Sequence, residues 1–136
     1  MGGTVVLYTD GASRGNPGPA GIGAALFQVE DGRLTPIGEV SEEIGITTNN
    51  VAEYRAVVAG LSRAAELAPD RLVLRADSQL LIRQLQGRYR VKAENLRPLF
   101  ERARQLLNRF PSVELEHVPR EDNTVADALA NAALDG

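Results

Sequence analysis

The sequence predicts an α/β domain built on a mixed β-sheet with helices on its faces. Two observations carry this prediction. Three apolar, β-branched runs joined by turn signals fill residues 4–46, the pattern of hairpin-connected strands. From Asn50 onward, helical periodicity alternates with further short apolar runs, as strand–helix units require. A chain of 136 residues reads as one domain, 1–136, large enough to bury a core without disulfides or a structural metal.

Each element has a local reason. Residues 4–10 form the first strand, and the glycine- and proline-rich stretch Gly11–Pro19 is expected to stop it, because Pro17 and Pro19 lack the N–H that a central ladder uses. Residues 20–29 form the second strand, in which Gly21 and Gly23 mark a close backbone approach or a bulge. Asp31-Gly32 is a hairpin signal leading to a third, antiparallel and partly exposed strand at 33–46. Helical periodicity from Asn50 to Leu67 puts Val51, Tyr54, Val57, Val58 and Leu61 on one side. Pro69-Asp70 turns the chain into a fourth strand at 71–76. Ser78 to Gln86 is a short helix with Leu80, Leu81 and Leu85 inward, ended by Gly87. Glu94 to Asn108 is the next helix, with Pro98 tolerated at or near its first turn. Residues 113–118 are the last strand, and Thr124 is expected to N-cap a final helix through Leu134.

Composition excludes several classes. With no cysteine, the chain has neither structural disulfides nor thiolate metal sites. No apolar stretch approaches the ~20 residues of a membrane span, and a cytoplasmic protein is expected. Nothing points to an obligate dimer, so a monomer is expected. A net charge of −3 argues against coating nucleic acid by bulk attraction. The charge is uneven, however. Arg83, Arg88, Arg90, Lys92, Arg97, Arg102, Arg104 and Arg109 face only Glu94 and Glu101 between residues 83 and 109. That stretch reads as either a solvated helix face or a surface directed at phosphates.

Four acids stand where a carboxylate is awkward. Asp10 and Asp77 close apolar strands, Glu53 lies one turn into a helix, and Asp127 lies early in the Ala-rich C-terminal helix. Desolvating an unpaired carboxylate costs several kcal/mol, and few bases neighbour these acids in sequence. Convergence of the four would suit oxygen-seeking Mg²⁺ or Mn²⁺, and two such ions about 3.5–4 Å apart can drive phosphodiester hydrolysis. Any one of the acids alone would read as a cap or turn residue; the signal is their matching contexts.

Four motifs connect these acids to a family. The run Tyr8-Thr9-Asp10-Gly11-Ala12-Ser13-Arg14-Gly15-Asn16-Pro17-Gly18-Pro19-Ala20-Gly21 closely resembles the opening of type 1 ribonuclease H. So do Thr47-Thr48-Asn49-Asn50-Val51-Ala52-Glu53, Asp77-Ser78-Gln79 and Asn123-Thr124-Val125-Ala126-Asp127-Ala128-Leu129-Ala130, in the family's order and spacing. The resemblance implies a five-stranded mixed sheet of order 3-2-1-4-5, its first three strands antiparallel, with flanking helices. It implies endonucleolytic hydrolysis of the RNA strand of RNA/DNA hybrids, leaving 5′-phosphate and 3′-hydroxyl ends. Asp10, Glu53, Asp77 and Asp127 match the catalytic acids that hold two Mg²⁺ or Mn²⁺ ions, Asp10 bridging both. Asn16, Asn49, Asn50 and Gln79 match residues that reach the minor groove of the hybrid, and Thr48 matches a residue that holds a DNA phosphate. Gly11 is carried over on the substrate side, although with Gly15 and Gly18 it also suits a turn. Asn49-Asn50 and Thr48 would equally serve as helix caps.

Two departures from the pattern shape the expectation. Many type 1 enzymes carry a basic protrusion after the second helix, whereas here Gly87-Arg88-Tyr89-Arg90-Val91-Lys92 occupies that space, with Arg88, Arg90 and Lys92 as candidates for part of the grip. Many also place a histidine on a loop before the last acid. The single histidine here, His117, falls within the strand 113–118 and reads as structural, which leaves Arg120 as the candidate near the leaving phosphate or as a partner of Glu121 or Glu43. The compact form resembles shorter bacterial and archaeal members, some of which also cut double-stranded RNA, so that substrate stays open. The full set of acids argues against an inert hybrid-binding module. Asn16 and the paired asparagines argue for RNA over a DNA-cutting relative.

Overall fold

The computed structural model describes residues 2–135. Strands β1 (Thr4–Ser13), β2 (Gly18–Glu30), β3 (Arg33–Thr47), β4 (Arg71–Ala76) and β5 (Ser112–His117) form one sheet in the order β3-β2-β1-β4-β5. β1 pairs antiparallel with β2 and β2 with β3, whereas β4 is parallel to both β1 and β5. The helices are α1 (Asn49–Glu66), α2 (Gln79–Leu85), α3 (Arg97–Leu107) and α4 (Thr124–Asp135), with a 3₁₀ turn at Arg120–Asp122. This is the sheet order and the mixture of directions expected from the sequence.

Alternation along β1 separates the two faces. Val5 and Leu7, with Leu72 and Leu74 of β4, are fully buried in the core that also holds Val57, Leu61 and Ala64 of α1. Asp10 and its partner Gly23 turn to the other face, where α4 packs. A Cβ on Gly23 would lie 2.2 Å from the Ala126 carbonyl oxygen, and one on Gly21 would lie 2.4 Å from that of Ala130. Both glycines are therefore sites of close approach, and a register shift also falls between Ala20 and Gly21. The Asp31-Gly32 hairpin has φ of 51° and 75° at its central residues, as a type I′ turn requires. Tyr54 of α1 donates its hydroxyl to Gln84 of α2 at 2.5 Å, tying the two helices together in the core.

Several boundaries differ from expectation for identifiable reasons. β1 continues through Gly11 to Ser13, which pair with Ile22 and Ala20, so the turn is shorter than Gly11–Pro19. Pro19 enters β2 near its start, where its carbonyl accepts from the Arg14 N–H at 2.8 Å. α3 starts at Arg97 instead of Glu94, because Pro98 then falls in the first turn, where no intrahelical N–H is needed. Leu80 is 46% exposed; α2 buries Leu81, Ile82, Gln84 and Leu85 instead. The capping position of α4 belongs to Asn123, not Thr124, since the Asp127 N–H donates to the Asn123 carbonyl at 3.1 Å.

The packing separates two glycines of the same sheet. Gly23→Ala should destabilise the protein by about 1–3 kcal/mol or more, because the new methyl meets the α4 backbone. Gly38→Ala, whose methyl would meet only ordinary contacts at 3.7 and 3.8 Å, should stay within about 0.5 kcal/mol. Urea-denaturation midpoints of the two variants check this.

Candidate active site

The site is assembled by strand register and by one tight helix–strand contact. β1 and β4 are parallel neighbours with Thr9 opposite Ala76, so the next residues, Asp10 and Asp77, stand side by side. α1 crosses β1 at Gly11, where a Cβ would lie 2.2 Å from the Ala52 carbonyl carbon and 2.4 Å from the Glu53 nitrogen. Only glycine admits that approach, which lets the Gly11 N–H reach the Glu53 carboxylate. Gly11 thus acts as a spacer within β1 and forms no turn.

Asp10, Glu53 and Asp77 each offer a carboxylate oxygen, and these oxygens lie within 4.8 Å of one another. Asp127 comes from the first turn of α4 and hydrogen-bonds with Asp10, although it lies outside that tight group. Together with Asn49, Asn50 and Arg120, these acids line an open cleft of about 520 Å³.

The electrostatics mark unneutralised charge. Burial, then the neighbouring Asp77 and Glu53 charges, push the Asp10 carboxyl up to about 9, and hydrogen bonds that its protonated form donates to Asp127 and Glu53 add to this. Burial also raises the Glu53 carboxyl, against hydrogen bonds with Asp10, Ser78 and Gly11 that favour its charged form. Among the described residues the ion pairs are Arg14–Asp135, Arg71–Glu114 and Arg75–Glu116, none of which involves these acids. An all-oxygen, convergent donor set without basic partners fits a hard divalent cation such as Mg²⁺ or Mn²⁺.

A family model described as reverse transcriptase-like matches residues 8–133. The crystal structure of RNase H1 from Halobacterium salinarum superposes with a TM-score of 0.91 at 47% identity, covering 98% of each chain. The chain belongs to the type 1 ribonuclease H family. The N-terminal RNase H domain of a Mycobacterium tuberculosis protein also reaches a TM-score of 0.91, at 43% identity over 97% of this chain and 99% of that domain. LC11-RNase H1, isolated from compost by a metagenomic approach and solved in complex with an RNA/DNA hybrid, matches with a TM-score of 0.87 at 39% identity over 96% of both chains. The full-length curated relatives are longer: the chain spans 35% of the M. tuberculosis protein, which is described as bifunctional, and 66% of the H. salinarum ribonuclease HI.

The remaining candidate residues fall in distinct places. Thr48 N-caps α1, its hydroxyl accepting from the Val51 N–H at 3.3 Å, which leaves Asn49 and Asn50 as the first helical residues. Asn49 Oδ1 accepts from the Ser13 N–H at 2.9 Å, and Asn16 Oδ1 accepts from the Asn49 N–H at 3.1 Å. Thr48, Asn16 and Gln79 do not line the cleft; Gln79 is exposed at the start of α2. Arg88 and Arg90 line a second concavity with Tyr89 and Arg97, and Lys92 is exposed beside it. A small recess lined by Asn50, Glu53, Ser78, Leu80 and Gln84 shares Asn50 and Glu53 with the cleft and Gln84 with the second concavity. No helix or strand forms between α2 and α3. His117 ends β5, exposed, and is not among the cleft residues. Arg120 forms no ion pair with Glu121 or Glu43 among the described residues.

Sequence reading missed four side chains that touch the acids or their supports. Ser78 caps α2, with its hydroxyl accepting from the Leu81 N–H at 3.2 Å, and also hydrogen-bonds Glu53. Asn131 donates to the Asp127 carbonyl at 3.0 Å and to its carboxylate at 3.4 Å. Ser13 fixes Asn49, and Asn123 contacts Asp77 at 3.3 Å. The i, i+4 spacing of Asp127 and Asn131 was a usable signal; Asn123 opened one of the family-like motifs, but nothing in the sequence assigned it a contact.

The raised carboxyl predicts a pH slope. In the ion-free folded protein Asp10 binds a proton up to about pH 9, whereas in the unfolded chain it releases that proton near 3.8. Stability is therefore highest below pH 4 as far as this group is concerned, and is lost as pH rises towards 9. In EDTA at pH 8, Asp10→Asn should stabilise the protein by on the order of 1–3 kcal/mol and flatten that slope, as thermal melts across pH would record.

Proposed function

We propose that this domain is an endoribonuclease that hydrolyses the RNA strand of RNA/DNA hybrids, leaving 5′-phosphate and 3′-hydroxyl ends. The observation that carries the reading is the convergence of Asp10, Glu53 and Asp77 on one cleft in a chain of this family. A homologue crystallised with an RNA/DNA hybrid supports the choice of substrate. Asp10, Glu53, Asp77 and Asp127 are the residues that would hold two Mg²⁺ or Mn²⁺ ions. When bound, the ions supply Lewis-acid activation of water and stabilise charge on the leaving oxygen.

The chain's own groups bind and orient the hybrid. Asn49 and Asn16 each commit the amide oxygen to a protein N–H, so both present N–H₂ donors outward. Donors suit the acceptors that every base pair shows in a minor groove, which gives recognition of shape and sugar without sequence preference. Asn50 and Gln79 extend this row on the adjoining helix starts. The Thr48 hydroxyl, already accepting from Val51, has its hydrogen free for a DNA phosphate. Arg120 brings a guanidinium to the cleft without a carboxylate partner, where it can balance charge on the phosphate. Arg88 and Arg90 of the second concavity, with Lys92 exposed nearby, bind the phosphate backbone, with the 46% exposed Tyr89 beside them. The working protein is a cytoplasmic monomer in this reading.

One strand-labelled sequence prepared as RNA/DNA, RNA/RNA, DNA/DNA and single-stranded RNA tests the proposal. Cleavage of the RNA in the hybrid is expected with Mg²⁺ or Mn²⁺, and none in EDTA or with Asp77→Asn. Hybrid binding without cleavage under either metal would sink the hydrolase reading, while equal cutting of RNA/RNA would remove strict hybrid specificity. Arg120→Ala should lower turnover about 10-fold with hybrid binding nearly unchanged, less than the ~100-fold expected of a buried donor because Arg120 is exposed. An unchanged rate would remove Arg120 from the mechanism.

A further inference from the structure

Asn123 sits between the 3₁₀ turn and α4, is 1% exposed, and joins three parts of the acidic site. Its amide Nδ2 donates to the Thr9 carbonyl at 2.9 Å and to Asp77 Oδ2 at 3.3 Å. Its main-chain carbonyl accepts the Asp127 N–H at 3.1 Å. Thr9 immediately precedes Asp10. One residue therefore touches the strand that carries Asp10, the carboxylate of Asp77 and the backbone of Asp127.

The orientation of this amide follows from chemistry. A carbonyl and a carboxylate oxygen are both acceptors, so the N–H₂ must face them, and rotating the amide would set oxygen against two oxygens. Asn123 Oδ1 is then buried with no hydrogen-bond partner, the one such side-chain atom among the described residues. A helix-capping asparagine would aim that oxygen at the free N–H groups of the first turn. Here the acceptor is orphaned, and the two donor contacts are kept.

We propose that Asn123 is a positioning residue for the hydrolytic reaction: by holding Asp77 through Oδ2 and Thr9 through its carbonyl, it fixes the Asp77 carboxylate beside Asp10 and leaves the other Asp77 oxygen for a divalent ion. The inference rests on the functional reading above. A hydrogen-bond donor that orients a metal-binding carboxylate changes ion affinity and turnover when it is removed, while the substrate surface stays as it was.

Asn123→Ala and the similarly sized Asn123→Leu, which lacks both donor and orphan acceptor, test it. Calorimetric titration with Mn²⁺ in the absence of substrate is compared with kcat and KM on a hybrid in Mg²⁺. Circular dichroism establishes that each variant is folded. The expected result is Mn²⁺ binding weakened about 10- to 100-fold and kcat lowered by a similar factor, with KM for the hybrid unchanged. A folded variant with wild-type Mn²⁺ affinity and kcat overturns the proposal, as does failure of both variants to fold, which would make Asn123 a structural residue only. A wild-type protein that neither binds Mn²⁺ nor cuts hybrid overturns the functional reading and this inference together.

Discussion

The mutual repulsion of Asp10, Glu53 and Asp77, whose oxygens come within 4.8 Å of one another, works against folding, and the surrounding elements are arranged to withstand it. Each acid is carried by a different rigid element, so none can swing away without breaking a ladder or a helix. Asp10 is anchored mid-strand, Asp77 follows a strand paired to that one, and Glu53 rides on a helix pressed against Gly11. Hydrogen bonds from Ser78 and Gly11 reach Glu53, and Asn123 reaches Asp77. These contacts orient the carboxylates but leave the charge uncompensated. The fold thus stores a negative site suited to a metal ion.

The basic surface is kept apart from that site. Arg88 and Arg90 open on a concavity of their own, which none of the four acids lines. Had those guanidinium groups stood beside Asp10 or Asp77, they would have paired with the carboxylates and competed with any metal ion there. The cleft itself carries the amides Asn49 and Asn50, which add hydrogen bonds without charge. The Asn49 side chain is fixed by the Ser13 N–H, and that of Asn16 by the Asn49 N–H at the start of α1.

Most of the fold was legible because periodicity and turn chemistry agreed at nearly every junction. Asp31-Gly32 set the hairpin, Ser78 and Gly87 bracketed α2, and apolar runs placed all five strands. Where the reading slipped, tertiary pairing overrode a local signal. Gly11 looked like a turn former but is a strand residue, since its bare Cα is needed by α1 and its neighbours pair with β2. Leu80 looked like core, yet seven residues of helix cannot turn every leucine inward. The acids stood out individually by their apolar contexts. That β1 and β4 are neighbours, which makes Asp10 and Asp77 converge, came from the sheet order implied by the family resemblance, since composition does not encode the crossover. Asn123 stood in a family-like motif, but its contacts were not legible, because its partners lie 114 and 46 residues away.

The seating of α4 on Gly21 and Gly23 carries a consequence for how such a chain can diverge. Its depth is set by main-chain oxygens resting on bare α-carbons, a contact that no outward-facing side chain on the helix shares. Exposed α4 positions that make no such contact, such as Val125, are therefore less constrained than the glycines beneath, while Asp127 keeps its place. The two glycines enjoy no such freedom, and an exchange at either would be felt by the fourth acid before it was felt by the surface.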